Sequence, residues 1–116
     1  MNKITGNKGE LLAKNYLIEN GYEILVTNWR YKYCEVDIIA AKNNFLHFVE
    51  VKTRRSKVFG YPEESISEKK MAKLKEAASA YQYQYPQWKY LQFDVIAILL
   101  LPDKPVEIKM FYDVYF

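Results

Sequence analysis

Apolar residues recur along this chain with two different periods, and the switches between them mark out seven elements. Leu12, Ala13, Tyr16 and Leu17 fall on one face of a 3.6-residue repeat, predicting a helix from Asn7 to Asn20. Asn7 followed by Glu10 has the form of a capping box, and Gly21 is a natural helix stop. The pattern then turns strand-like. Tyr22 to Trp29 is apolar-rich, Tyr33 to Ala40 carries the β-branched Val36, Ile38 and Ile39, and Phe45 to Thr53 is a third strand after a turn at Lys42-Asn43-Asn44. Links this short predict an antiparallel meander. Ser65 and Glu68 repeat the capping-box spacing ahead of Met71, Leu74, Ala78, Tyr81 and Tyr85, a helical stripe that ends at Pro86.

Phe93 to Leu101 is almost wholly apolar, as in a strand buried on both faces. Because a helix precedes it, it is expected to run parallel to the strand before that helix. Val106 to Phe116 alternates, with Val106, Ile108, Met110, Tyr112 and Val114 on one face, and reads as an edge strand. The order α-β-β-β-α-β-β predicts an α/β fold: a mixed β-sheet flanked by helices.

Length and composition narrow the setting. A chain of 116 residues fits one domain, spanning residues 1–116. With 50% apolar and 16% aromatic residues it can bury a core, which argues against disorder. Cys34 is the single cysteine, so neither an internal disulfide nor a multi-cysteine zinc site is available. The first residues lack the apolar stretch of a signal peptide, and the longest apolar run, Val95 to Leu101, is too short to span a membrane. A cytoplasmic protein with no membrane partner is the expectation. A net charge of +3 is too small to establish nucleic-acid binding, so the placement of charge decides more than its total.

Charged residues stand out where they interrupt the apolar strands. Glu50 and Lys52 lie two apart on one strand and share a face, roughly 6.6 Å apart along it. Asp37 sits across a short hairpin, and Glu35 shares its face. Two carboxylates on neighbouring strands can hold Mg²⁺, which prefers oxygen ligands and keeps several waters. The Val51 backbone carbonyl is a further oxygen donor. A metal so placed lowers the pKa of a bound water, and an adjacent lysine stabilises charge growing on a phosphate. The plain alternative is that Glu50 and Lys52 form an exposed ion pair. Glu10 has two readings, a third carboxylate aimed at the sheet or the glutamate of a capping box. Arg54, Arg55 and Lys57 follow the site directly, where a phosphate backbone would lie, though a solvated loop has the same composition. His47 faces away from Glu50 and reads as a packed strand residue. Tyr81 and Tyr85 read as core, and Cys34 as inert.

Gly9-Glu10-Leu11-Leu12-Ala13, Gly21-Tyr22, Asn28-Trp29-Arg30, Glu35 to Ala40, Phe48 to Arg54, Phe59-Gly60 and Phe93-Asp94-Val95-Ile96 together resemble the YraN-like family of small bacterial proteins. The likeness runs in order over nearly the whole chain. It implies a restriction-endonuclease-like fold, similar to that of archaeal Holliday-junction resolvases. In that superfamily the site is an acidic residue on one strand, Glu-x-Lys on the next, and an acidic residue from the first helix. The matching positions are Asp37, Glu50, Lys52 and Glu10. Cys34 departs from the family pattern, which has glycine before Glu-x-Asp, and so calls the turn geometry into question.

The expected function is Mg²⁺- or Mn²⁺-dependent endonucleolytic hydrolysis of DNA at branched or damaged structures. In this reading Asp37, Glu50, Glu10 and the Val51 carbonyl bind the metal, Lys52 positions the attacking water, and Arg54, Arg55 and Lys57 hold phosphates. Symmetric cutting would require a homodimer, since one metal site cuts one strand. The alternatives are a non-catalytic nucleic-acid-binding or adaptor domain on the same fold, and a subunit active only within a protein assembly.

Overall fold

The computed structural model describes residues 3–55 and 68–114; Lys57, Ser65 and the Phe59-Gly60 pair lie outside them. The elements appear in the expected order: α1 (Lys3–Glu19), β1 (Glu23–Tyr31), β2 (Cys34–Lys42), β3 (Phe45–Arg54), α2 (Glu68–Gln84), β4 (Tyr90–Leu99) and β5 (Glu107–Phe111). They build an α/β fold around one five-stranded sheet ordered β1-β2-β3-β4-β5. β1, β2 and β3 are an antiparallel meander, β3 and β4 pair in parallel across the α2 connection, and β5 returns antiparallel along the edge. A parallel step of this kind needs a long crossover, which α2 supplies. Among the described residues no helix is long and apolar enough to cross a membrane.

Each sheet face carries its own apolar layer. Ala13 and Leu17 of α1 pack with Tyr22, Ile38, Ala40, Val49, Ile96 and Ile98. Met71, Leu74, Ala78 and Tyr81 of α2 pack on the other face with Val36, Ile39, Phe48, Phe93 and Val95. The central β3 and β4 are therefore covered on both sides, which explains the near-continuous apolar run of β4. α1 seats closely because Gly9 has no Cβ: one added there would stand 1.8 Å from Thr53 Oγ1, so any side chain would push the helix off β3.

The structure corrects several sequence expectations. α1 begins at Lys3, so Asn7 lies inside the helix and not at its N-terminal cap position. Glu10 is thereby left on the helix body. Tyr85 falls beyond the end of α2 and is 41% exposed, so only Tyr81 of that pair belongs to the core. β5 ends at Phe111, and Val114 joins the α2-side layer while Ile108 and Met110 join the α1-side layer. Asp113 carries the chain through a positive φ of 49°, which breaks the strand alternation assumed from Val106 to Phe116. The hairpin before β2 needs no glycine at Cys34. Its positive φ falls on Lys32 (53°), and Cys34 is ordinary strand paired with Tyr31.

Candidate active site at a fork in the sheet

The β2–β3 hairpin turns through Asn43 (φ 51°) and Asn44 (φ 67°), a pair of left-handed residues whose twist matches antiparallel strands. Its Cα pairing runs from Lys42↔Phe45 to Ile38↔Val49 and ends there. Beyond that point β2 stays paired with β1, and β3 stays paired with β4. The two strands part, and Asp37 stands in the fork. Opposite it, Asn28 of β1 adopts a φ of 53°, a conformation asparagine tolerates better than most residues. Val36 and Ile39 both face α2 although they are three residues apart, so the strand's alternation breaks at Asp37.

The lost ladder bond is replaced by a side chain. Asp37 Oδ2 accepts the Val51 backbone N–H at 2.8 Å. The N–H and C=O of one strand residue point toward the same neighbour, so the Val51 carbonyl faces the fork as well. Val51 itself packs on the α1-side layer, and its neighbours Glu50 and Lys52 lie on the α2 face of β3. Lys52 Nζ is 3.1 Å from Glu50 Oε1, and both side chains are about one-fifth exposed. Lys70, from the first turn of α2, donates to the same Glu50 oxygen. Glu50 Oε2 is buried without a hydrogen-bond partner. A carboxylate oxygen taken from water and left unsatisfied is costly unless something else binds it.

Asp37 is electrostatically uncomfortable. Burial pushes its carboxyl up to about 6; the Val51 N–H opposes this, and the charges of Glu10, Glu50 and Glu35 add to it. Glu10 and Glu50 thus both act on Asp37, but from opposite sides. One cleft, on the α1 side, is lined by Glu10, Lys14, Asn28 and Asp37. Another, on the α2 side, is lined by Cys34, Glu35, Asp37, Glu50 and Lys70. Asp37 borders both. Among the described residues no three His, Cys, Asp or Glu side chains gather closely enough to enclose a cation. Asp37 and Glu50 share the α2-side cleft, and the Val51 carbonyl faces the fork beside them. They suit an ion that takes one or two carboxylates and fills its shell with water and substrate phosphate.

Other expected residues sort clearly. Glu35 makes a surface ion pair with Arg30 at 2.9 Å. Arg54, at the end of β3, donates to the Thr53 carbonyl at 3.0 Å, and Arg55 follows it; Lys57 lies outside the described residues. Cys34 is half-buried, and its burial raises the thiol's pKa. His47 is packed, as expected, but it is also 2.7 Å from Asp94 Oδ2. Asp94 is fully buried, and its other oxygen accepts from Gln92 Nε2 and the Asp113 N–H, so it ties β3, β4 and the tail after β5 together.

Two residues escaped the sequence reading. Lys70 lies four residues before Leu74, and one helical stripe joins it to Leu74, Ala77 and Tyr81. Asp94 interrupts an apolar strand as Asp37 and Glu50 do, and the same signal marks it.

A profile described as Uncharacterised protein family UPF0102 matches residues 9–98. The chain belongs to that family. UPF0102 proteins of Syntrophomonas wolfei (44% identical over 105 residues, 90% of this chain and 91% of the relative) and Caldicellulosiruptor bescii (47% over 100 residues, 84% of each) are similar over nearly their whole lengths. So is one from Thermodesulfovibrio yellowstonii, 44% identical over 106 residues and 88% of each chain. Among solved structures, the Holliday junction resolvase Hjc of Archaeoglobus fulgidus aligns over 89% of this chain and 74% of its own, with a TM-score of 0.47 and 16% identity. That likeness is too distant to bear on activity.

Proposed function

We infer that this UPF0102 chain is a divalent-metal-dependent endonuclease acting on DNA phosphodiesters. The observation that carries the reading is the fork itself. Two strands stop pairing, a desolvated aspartate fills the gap, and beside it lies a glutamate with one buried oxygen unsatisfied. A structural ion pair has no use for such an oxygen; a cation does.

In this reading Asp37, Glu50 and the Val51 carbonyl would hold Mg²⁺ or Mn²⁺, and Glu10 acts from the α1-side cleft through its charge on Asp37. A cation bound there would supply an acidified water and charge neutralisation at the phosphate. Lys52, held 3.1 Å from Glu50, orients the nucleophile and stabilises charge on the phosphorus oxygens as it grows. Lys70 holds Glu50 from α2. Arg54 and Arg55 at the end of β3 take neighbouring phosphates, fixing position without reading sequence.

A second reading has its own support. Glu10 and Glu50 open onto different clefts, and Glu50 is already engaged by two lysines. A non-catalytic DNA-binding domain would look the same at this level. Metal-dependent nicking of a panel of duplex, flapped, gapped and four-way DNAs separates the two. The endonuclease reading expects at least one DNA to be nicked by wild type with Mg²⁺ or Mn²⁺, and activity to fall at least 100-fold in Asp37→Asn, Glu50→Gln and Lys52→Ala. Binding without nicking across the panel would favour the second reading.

A further inference from the structure

The α2-side cleft does not end at the carboxylates. Its wall at Cys34 is shared with a second cleft at the tip of the β1–β2 hairpin, lined by Tyr31, Lys32, Tyr33, Lys73 and Glu76. The Cys34 thiol feels the charges of Glu50, Lys70 and Lys73 together, which places all three around that shared wall. The aromatic base of the hairpin tip packs onto the core. Tyr31 stacks on Trp29 with centroids 6.1 Å apart and planes 15° from parallel, and Trp29 meets the core ring of Tyr81 edge-on at 5.3 Å. Lys32 sits 5.3 Å over the Tyr31 ring and is held by Glu76 at 3.1 Å, so the hairpin is tied to α2. On this fixed base Tyr33 is 94% exposed. An aromatic ring presented almost whole to solvent, on an anchored hairpin, beside lysines, has the makings of a stacking surface.

We propose that Tyr33 stacks against an unpaired base of a DNA strand whose backbone follows Lys73 and Lys70 into the fork at Asp37 and Glu50. This rests on the nucleic-acid reading of the fork and narrows its substrate: a strand that is single, or frayed, next to the phosphate held there. Paired bases offer no free face to such a ring except at an end, whereas every unpaired base has a π-face, so recognition is by structure and not by sequence. Lys73 and Lys70 are the cations a phosphate backbone would meet along this path, while the carboxylates of Asp37 and Glu50 at its end are those assigned to the cation in the reading above. The hairpin thereby supplies the selectivity that the carboxylates themselves lack.

The test is fluorescence anisotropy with Ca²⁺ replacing Mg²⁺, so that binding is read apart from cleavage. Wild type, Tyr33→Ala and Tyr33→Trp are compared on a labelled single-stranded oligonucleotide and on a covalently closed circular duplex, which has neither ends nor loops. Tyr33→Ala should weaken single-strand binding by roughly 5- to 100-fold, the range for one base stacked on an aromatic ring. Duplex binding should change by less than about twofold, and Tyr33→Trp should restore single-strand binding. Thermal unfolding of Tyr33→Ala should match wild type, because the ring is not packed. An unchanged single-strand affinity, or an equal loss on both DNAs, would overturn the stacking proposal and leave the fork's function standing. If wild type bound neither DNA, the stacking proposal would fall, and the branched DNAs of the nicking panel would still decide the fork's function.

Discussion

Asp37 costs the fold something, and that cost has a pH signature. Its carboxyl sits near 6 in the folded chain against 3.8 for the free group. The unfolded chain therefore gives up this proton first as the pH rises. Between about pH 4 and pH 6 the folded state binds more protons than the unfolded one, so this group's contribution makes stability fall with rising pH, then level off. Asparagine keeps an oxygen for the Val51 N–H but carries no charge. Asp37→Asn should therefore be more stable than wild type at pH 7.5, by about 1–3 kcal/mol on the scale of a two-unit shift, with the difference vanishing near pH 4. Denaturant unfolding at the two pH values checks this; a variant less stable than wild type at pH 7.5 would show that the carboxylate serves the fold. Glu50 tells a related story, since only the structure reveals that one of its oxygens is buried and unmatched.

At the scale of elements, periodicity carried most of the architecture. The β2 and β3 patterns, the Asn43-Asn44 turn and the α2 stripe were all legible because each buries one face against a continuous layer. Leu74 illustrates the point: it is buried in the α2-side layer, and Leu74→Ala should cost roughly 2–5 kcal/mol by chemical denaturation. A loss under half a kcal/mol would mean that α2 is not docked as described. What could not be read was where pairing stops. Alternation continues through Glu35, Val36 and Asp37 in the sequence, yet the strand changes face there, because a left-handed Asn28 on the neighbouring strand lets β2 twist away from β3. The start of α1 was misplaced for a related reason. Asn7 is a strong cap residue by type, but single-residue preference is a weak guide once a helix is packed, and α1 runs through it from Lys3.

At the scale of the whole molecule, the candidate site was legible as a list and not as an arrangement. Asp37, Glu50 and Lys52 were marked by charge within apolar strands, and the structure brings them to one fork. Glu10 was marked too, but its place in the α1-side cleft, apart from Glu50, depends on how α1 crosses β3 at Gly9 and Thr53, which no local pattern encodes. Lys70 comes from an element twenty residues later in the chain than its partner. The net charge of +3 says nothing of placement: Arg54 ends β3 and Arg55 follows it, while Lys70 reaches Glu50 from the first turn of α2. The central claim is that the fork binds a divalent cation, and calorimetric titration with Mn²⁺ at pH 7.5 tests it without needing a substrate. Wild type should bind, and Asp37→Asn should lose at least tenfold in affinity because it removes charge the cation needs. Lys52→Ala should bind as well as wild type or somewhat more tightly, because it removes a neighbouring positive charge. Equal Mn²⁺ binding by wild type and Asp37→Asn would contradict the account.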